Sequence, residues 1–155
     1  MNRIVIISGY FNPLHVGHLD YIEAAKSIGD HLVVIVNNDC QVELKGSVSF
    51  MSEADRVRVV SSITSVNETV LSIDAGRSVI ETLSLLVEKY SLDPFVESIT
   101  FANGGDRNDE NSPEEEFCLT KNIRTVYGVG GGKTQSSSEL IRNAGNNKPV
   151  KETDR

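Results

Sequence analysis

A chain of 155 residues, 39% hydrophobic and 24% charged, is long enough for one domain with a single buried core. Its net charge of −7 argues against nucleic acid or an anionic membrane as partner, because both select basic surfaces, while a local basic pocket for a phosphorylated ligand stays open. No apolar run approaches the roughly 20 residues that span a bilayer, the first residues show no signal-peptide pattern, and Cys40 and Cys118 form no CxxC; the chain reads as cytoplasmic, with neither a disulfide framework nor a zinc site.

Taken in order, the chain opens on Ile4-Val5-Ile6-Ile7, an apolar run that reads as a buried parallel strand. Ser8 to His18 follows and leads into Leu19–Lys26, which has helical periodicity and good helix formers. A strand stops, a glycine-containing turn intervenes, and a helix opens with two imidazoles at its start. Free N–H groups and the positive end of the helix dipole suit a polyphosphate there. Gly9 and Gly17 let backbone approach a ligand or a neighbouring element, and His15 and His18, three apart, can project towards one ligand. A packed turn with two surface histidines is the plainer alternative; the clustering of both imidazoles at one junction favours function. Gly29 reads as the residue just past the helix, and His31–Val36 as a second strand parallel to the first. Asn37, Asn38 and Asp39 lie at its C-terminal end, as ligand contacts or as turn formers. Residues 41–50 have no clear period and read as a loop carrying Lys45-Gly46. A helix starts at Ser52, with Arg56 one turn in and Val57, Val59, Val60 and Ile63 as its apolar face.

Glu68–Ile73 is the third strand expected, followed by a turn in which Asp74 and Ser78 are candidate N-caps. Val79–Tyr90 is an amphipathic helix that packing explains. Ser98–Ala102 is a fourth strand running into Asn103-Gly104-Gly105-Asp106-Arg107, where Asp106 offers acceptor oxygens and Arg107 a donor fork, or where a tight turn simply forms. Residues 108–116 read as an acidic surface loop or the start of a helix, and Arg124–Val129 as a fifth strand. Gly130 to Gln135 lacks the spacing of a phosphate loop. Ser136, Ser137 and Ser138 place hydroxyls at the start of a last helix, and residues 145–155 read as a tail beyond a domain spanning 1–144. Five strands interleaved with helices give a single-domain α/β fold with a doubly wound parallel sheet.

Gly9, Phe11, Asn12, His15, Gly17 and His18 resemble the Gly-x-Phe-Asp/Asn-x-x-His-x-Gly-His signature of the HxGH nucleotidyltransferase superfamily. Ala25 to Val34, Lys45-Gly46 through Arg56, Gly104-Gly105-Asp106 and Ser136–Ser138 resemble its further motifs, although Arg142 falls one residue late for the closing one. The resemblance implies a Rossmann-like sheet of order 3-2-1-4-5. It also implies attack by a substrate phosphate on the α-phosphorus of a nucleoside triphosphate, with release of pyrophosphate. His15, His18 and Lys45 would be catalytic; Gly9, Tyr10, Phe11, Asn12, Gly17, Asp106, Ser136, Ser137 and Ser138 would bind nucleotide; and Lys45 and Arg56 would serve acceptor or nucleotide phosphates. Mg2+ bound with the triphosphate and a homodimer are implied on the same ground. Lys45-Gly46 before a Met-Ser-Glu helix resembles the choline- and ethanolamine-phosphate cytidylyltransferases, in the same group as the glycerol-3-phosphate enzymes. Val36-Asn37-x-Asp39 and Gly104-Gly105-Asp106 resemble the heptose-phosphate adenylyltransferases. The expectation is CMP transfer from CTP, with adenylyl transfer from ATP to a sugar phosphate and a non-catalytic nucleotide-binding domain as the alternatives.

Overall fold

The computed structural model describes residues 2–104 and 112–130. In chain order they form β1 (Asn2–Gly9), α1 (Val16–Ile28), β2 (His31–Val36), α2 (Asp39–Leu44), α3 (Glu53–Ser61), β3 (Glu68–Leu71), α4 (Ile80–Ser91), β4 (Val96–Gly104), α5 (Pro113–Thr120) and β5 (Arg124–Val129). The strands make one five-stranded sheet, order β3-β2-β1-β4-β5, with every pairing parallel. This is the Rossmann-like order expected.

The apolar runs of β1 and β2 are continuous because both faces of the sheet are covered. Alternate side chains go to opposite faces. Ile4, Ile6, Val33 and Ile35 meet Leu83, Leu86, Val87 and Tyr90 of α4 and Cys118 of α5. Val5, Ile7, Leu32 and Val34 meet Ile22 and Ala25 of α1 and Val60 of α3. Fully burying one such aliphatic side chain is worth about 1.5–3 kcal/mol, so these two layers hold the sheet rigid behind its loops. Gly29 closes α1 with φ −146°, an ordinary extended conformation, so its need is steric: a Cβ there would sit 2.6 Å from the Arg3 carbonyl oxygen.

Two segments refine the sequence reading and a third takes one of its two alternatives. Residues 39–44 are helical, not loop, because Asn38 and Gln41 cap each other: the Asn38 side chain accepts the Gln41 N–H at 2.9 Å, and Gln41 Oε1 accepts the Asn38 N–H at 3.1 Å. The described end of the acidic stretch is the start of a helix, as one of its two readings had it: Ser112 accepts the Glu115 N–H, Pro113 opens α5 and three glutamates fill its first turn. At α4 the cap residue is Val79, and the capping oxygens come from Asp74 rather than Ser78, accepting the N–H groups of Glu81 at 2.8 Å and Thr82 at 3.1 Å. The domain limit at 144 and the tail at 145–155 lie outside the described residues.

Candidate active site

β1 reaches its C-terminal end at Gly9, where a Cβ would lie 2.8 Å from the Phe11 ring. Glycine therefore lets Phe11 fold back into the core, where it is 1% exposed and held at φ 51°, in the left-handed region that non-glycine residues avoid. The ring meets His18 edge-on with centroids 4.9 Å apart.

His15 is the N-cap of α1. Its Nδ1 accepts the Gly17 N–H at 3.1 Å, and His18 Nδ1 accepts the His15 N–H at 3.1 Å. The two rings stack with centroids 3.9 Å apart. This is a capping box built from two imidazoles. Because each Nδ1 is an acceptor, the neutral ring carries its proton on Nε2, which makes Nε2–H the donor of both histidines. Gly17 thus gives its N–H to the cap.

The other expected residues divide. Asn12 is 3% exposed and uses its amide inside the protein: Nδ2 donates to the Val48 carbonyl at 2.8 Å, and Oδ1 accepts the N–H groups of Phe50 at 2.8 Å and Met51 at 3.0 Å. It fastens the loop after α2 to the histidine turn. Lys45 follows α2 on that same loop and sets Nζ 4.4 Å from the centroid of the Tyr10 ring. Tyr10 and Lys45 line a cavity of about 280 Å³ with Ser8, Gly9, Asn37, Arg77, Val79 and Glu114. The cavity lies at the C-terminal ends of β1 and β2, where open α/β sheets bind ligands.

Arg56 is a correction to the sequence reading. Its side chain is 0% exposed, and the guanidinium donates inward to the carbonyls of Met51 at 3.0 Å, Tyr10 at 2.8 Å and Asn37 at 2.5 Å and to Asp39 Oδ1 at 2.7 Å. It ties together the ends of β1 and β2, the start of α2 and the Lys45 loop, so a phosphate cannot reach it. Burial pushes the Asp39 carboxyl up, but hydrogen bonds from Arg56, the Glu53 backbone and Ser49 outweigh it and hold the group below its ordinary range. Asp106, Arg107, Ser136, Ser137, Ser138 and Arg142 lie outside the described residues. Arg77 and Glu114 were missed. Arg77 sits in a turn that shows nothing but turn formers, and Glu114 is one acid among several.

A parallel 3-2-1-4-5 sheet, with a histidine-capped helix after its first strand and a cationic cavity at the strand ends, defines a nucleotide-binding α/β domain. Residues 6–112 match the cytidylyltransferase-like family, and the chain belongs to that family of nucleotidyltransferases. It is 32% identical over 131 residues to the bifunctional protein HldE of Shewanella baltica (strain OS185), covering 80% of this chain and 28% of that protein. It is 45% identical over 71 residues to HldE of Koribacter versatilis, covering 44% and 15%. FAD synthase of Thermoplasma acidophilum is 32% identical over 81 residues, covering 51% of this chain and 57% of that one. The chain thus spans less than a third of the HldE proteins it matches. Among solved structures, the lipopolysaccharide core biosynthesis protein from Thermoplasma volcanium shares the fold with a TM-score of 0.64 at 22% identity, covering 82% of this chain and 96% of that one. Among the described residues no helix is long and apolar enough to cross a membrane.

Proposed function

We propose that the protein transfers an adenylyl group from ATP to the phosphate of a small acceptor and releases pyrophosphate. The observation that carries this reading is the mutual cap of His15 and His18, which fixes two Nε2–H donors side by side at a helix start. An acceptor phosphate oxygen attacks the α-phosphorus, the bond from that phosphorus to the bridging oxygen breaks, and pyrophosphate leaves with the electron pair. Such a displacement needs positioning and charge neutralisation rather than a protein nucleophile. His15 and His18 donate to the charge growing on the α-phosphate and the bridging oxygen. Lys45 and Arg77 hold the acceptor phosphate in the cavity. Magnesium enters with the triphosphate as substrate, held by phosphate oxygens and water.

The preference for ATP replaces the expectation of CTP. That expectation leaned on Met51-Ser52-Glu53, yet these residues serve the fold: Met51 bonds to Asn12 and Arg56, Ser52 caps α3, and Glu53 Oε1 accepts the Asp39 N–H at 2.9 Å. Ser52 and Glu53 are thus accounted for by the fold, which takes most of the ground from the lean to CTP. The FAD synthase relative, whose product contains adenine, supports ATP. Pyrophosphate release with ATP or CTP, magnesium and a panel of phosphorylated alcohols, sugars and bases tests the reading. No release with any acceptor, together with nucleotide binding, favours the non-catalytic alternative. The homodimer carried by the family resemblance is tested by light scattering, where a monomer mass removes it.

A further inference from the structure

Gln41 does not line the cavity and is 0% exposed, yet it holds three residues that do. A carboxamide has two acceptor sites on its oxygen and two N–H donors, and all four are used inside the protein. Oε1 accepts Asn37 Nδ2 at 3.1 Å and the Asn38 N–H at 3.1 Å, while Nε2 donates to the carbonyls of Gly76 at 2.8 Å and Ser78 at 3.0 Å. The Gln41 main-chain carbonyl accepts the Lys45 N–H at 3.0 Å. Asn37, Lys45 and Arg77, which sits between the two held carbonyls, all line the cavity. They come from the end of β2, the end of α2 and the turn after β3.

Helix capping accounts for only part of this. The bond from the Asn38 N–H to Oε1 closes the cap of α2, but Nε2 points across to a different segment. That segment has little packing of its own: Ala75, Gly76 and Arg77 are exposed, and a Cβ at Gly76 would meet nothing within 4 Å. Hydrogen bonds therefore fix the turn against α2, a helix of six residues that is itself too short to hold its place alone. Arg77 completes the clasp, Nη2 donating to the carbonyl of Leu44, the residue before Lys45, at 2.7 Å. Two cations that serve one anion repel each other before it arrives, so a neutral third group must set their separation in advance.

Resting on the transferase reading above, we propose that Gln41 is a positioning residue of the acceptor site, whose carboxamide sets Lys45 and Arg77 where one phosphate group meets both.

The test measures pyrophosphate release by the full chain with magnesium and whichever of ATP or CTP is turned over. The acceptor is the one that the wild type uses best among glycerol 3-phosphate, a hexose 1-phosphate, phosphocholine and FMN. Gln41→Glu keeps an oxygen for Asn37 and Asn38 but sets an acceptor against the Gly76 and Ser78 carbonyls; Gln41→Met keeps the volume and removes the amide. Tyr90→Phe, which loses a hydroxyl bonded to Glu68 outside the cavity lining, is the control for lost stability. At a temperature where each protein is folded by circular dichroism, both Gln41 variants should raise the acceptor KM by roughly tenfold. The kcat and the nucleotide KM should stay within about twofold, because saturating acceptor restores the arrangement. Tyr90→Phe should lower Tm and leave the acceptor KM unchanged. A wild-type acceptor KM in a folded Gln41 variant, or a rise that Tyr90→Phe matches, overturns the inference while the transferase reading stands. Failure of both Gln41 variants to fold overturns it equally, since the residue then serves the fold. Absence of release by the wild type with every acceptor overturns both.

Discussion

At the N-terminal end of β2, His31, Glu68, Lys89 and Tyr90 form a closed cluster. The Tyr90 hydroxyl donates to Glu68, lies 3.2 Å from His31 Nε2, and Lys89 Nζ is 3.0 Å from the same carboxylate. At the C-terminal end, Arg56 is equally satisfied, but mainly by main-chain carbonyls from three separate segments. In the first cluster side chains neutralise side chains, and what results is a tie between α4 and the sheet. In the second a buried cation organises backbone, which leaves Lys45, Arg77 and Glu114 to line a cavity in front of it. Similar residue types make a strut at one end and a site at the other, and the difference lies in which partners absorb the charge.

The largest effect expected on stability comes from breaking the backbone-held end. Arg56→Met strands the Tyr10, Asn37 and Met51 carbonyls and removes the Arg56 partner of Asp39, which keeps Ser49 and the Glu53 backbone; leaving three main-chain acceptors without their donor should cost about 3–5 kcal/mol. For a chain of this length that is on the order of 10 °C in Tm, measurable by calorimetry. A loss below about 2 °C would show that the guanidinium is not the hub described. Lys45→Met should come next, raising the acceptor KM by roughly 10–100-fold in steady-state kinetics while Tm stays within about 2 °C, because a charged hydrogen bond to ligand is lost and no buried group is exposed. An unchanged KM would remove Lys45 from the acceptor site.

Smaller effects belong to the closed end. Burial pushes the Glu68 carboxyl up, but hydrogen bonds from Tyr90 and Lys89 outweigh it, so its folded value lies below the ordinary 4.5. The same contacts and burial raise the Tyr90 hydroxyl well above its usual range. A depressed carboxylate contributes stability above its unfolded pKa and loses it as pH falls through the folded value. Below about pH 4.5 the wild type should therefore lose Tm more steeply than Glu68→Gln. Parallel Tm-against-pH curves for the two proteins would contradict this. His31→Ala removes the contact to Tyr90 and should cost about 1 kcal/mol with kcat unchanged; a fall in kcat would link the two ends of the sheet.

How much of this was legible from sequence follows from the range of the interactions. The strands and the histidine turn depend on local runs and spacings, and the structure has them where those runs fall. α2 was missed because six residues carry too little period; its available signal was Asn38 and Gln41 three apart. Arg56 read as a phosphate ligand, yet it lies four residues before Val60 on the buried stripe of α3, a spacing that places it inward. Glu114 had no local signal, since its partner Val79 is 35 residues away.

The mutual cap also changes what a histidine substitution reports. His15→Ala removes a cap as well as a donor, so about 1 kcal/mol of stability goes with it, and an unchanged Tm is no longer expected. His15→Asn separates the two roles, because asparagine is a good N-cap that can accept the Gly17 N–H but offers nothing in place of Nε2–H. The account predicts that His15→Asn keeps Tm within about 2 °C of the wild type and loses kcat by roughly 10²–10³-fold. A well-folded His15→Asn protein with near-normal kcat would contradict it, and the two imidazoles would then be a helix cap and nothing more.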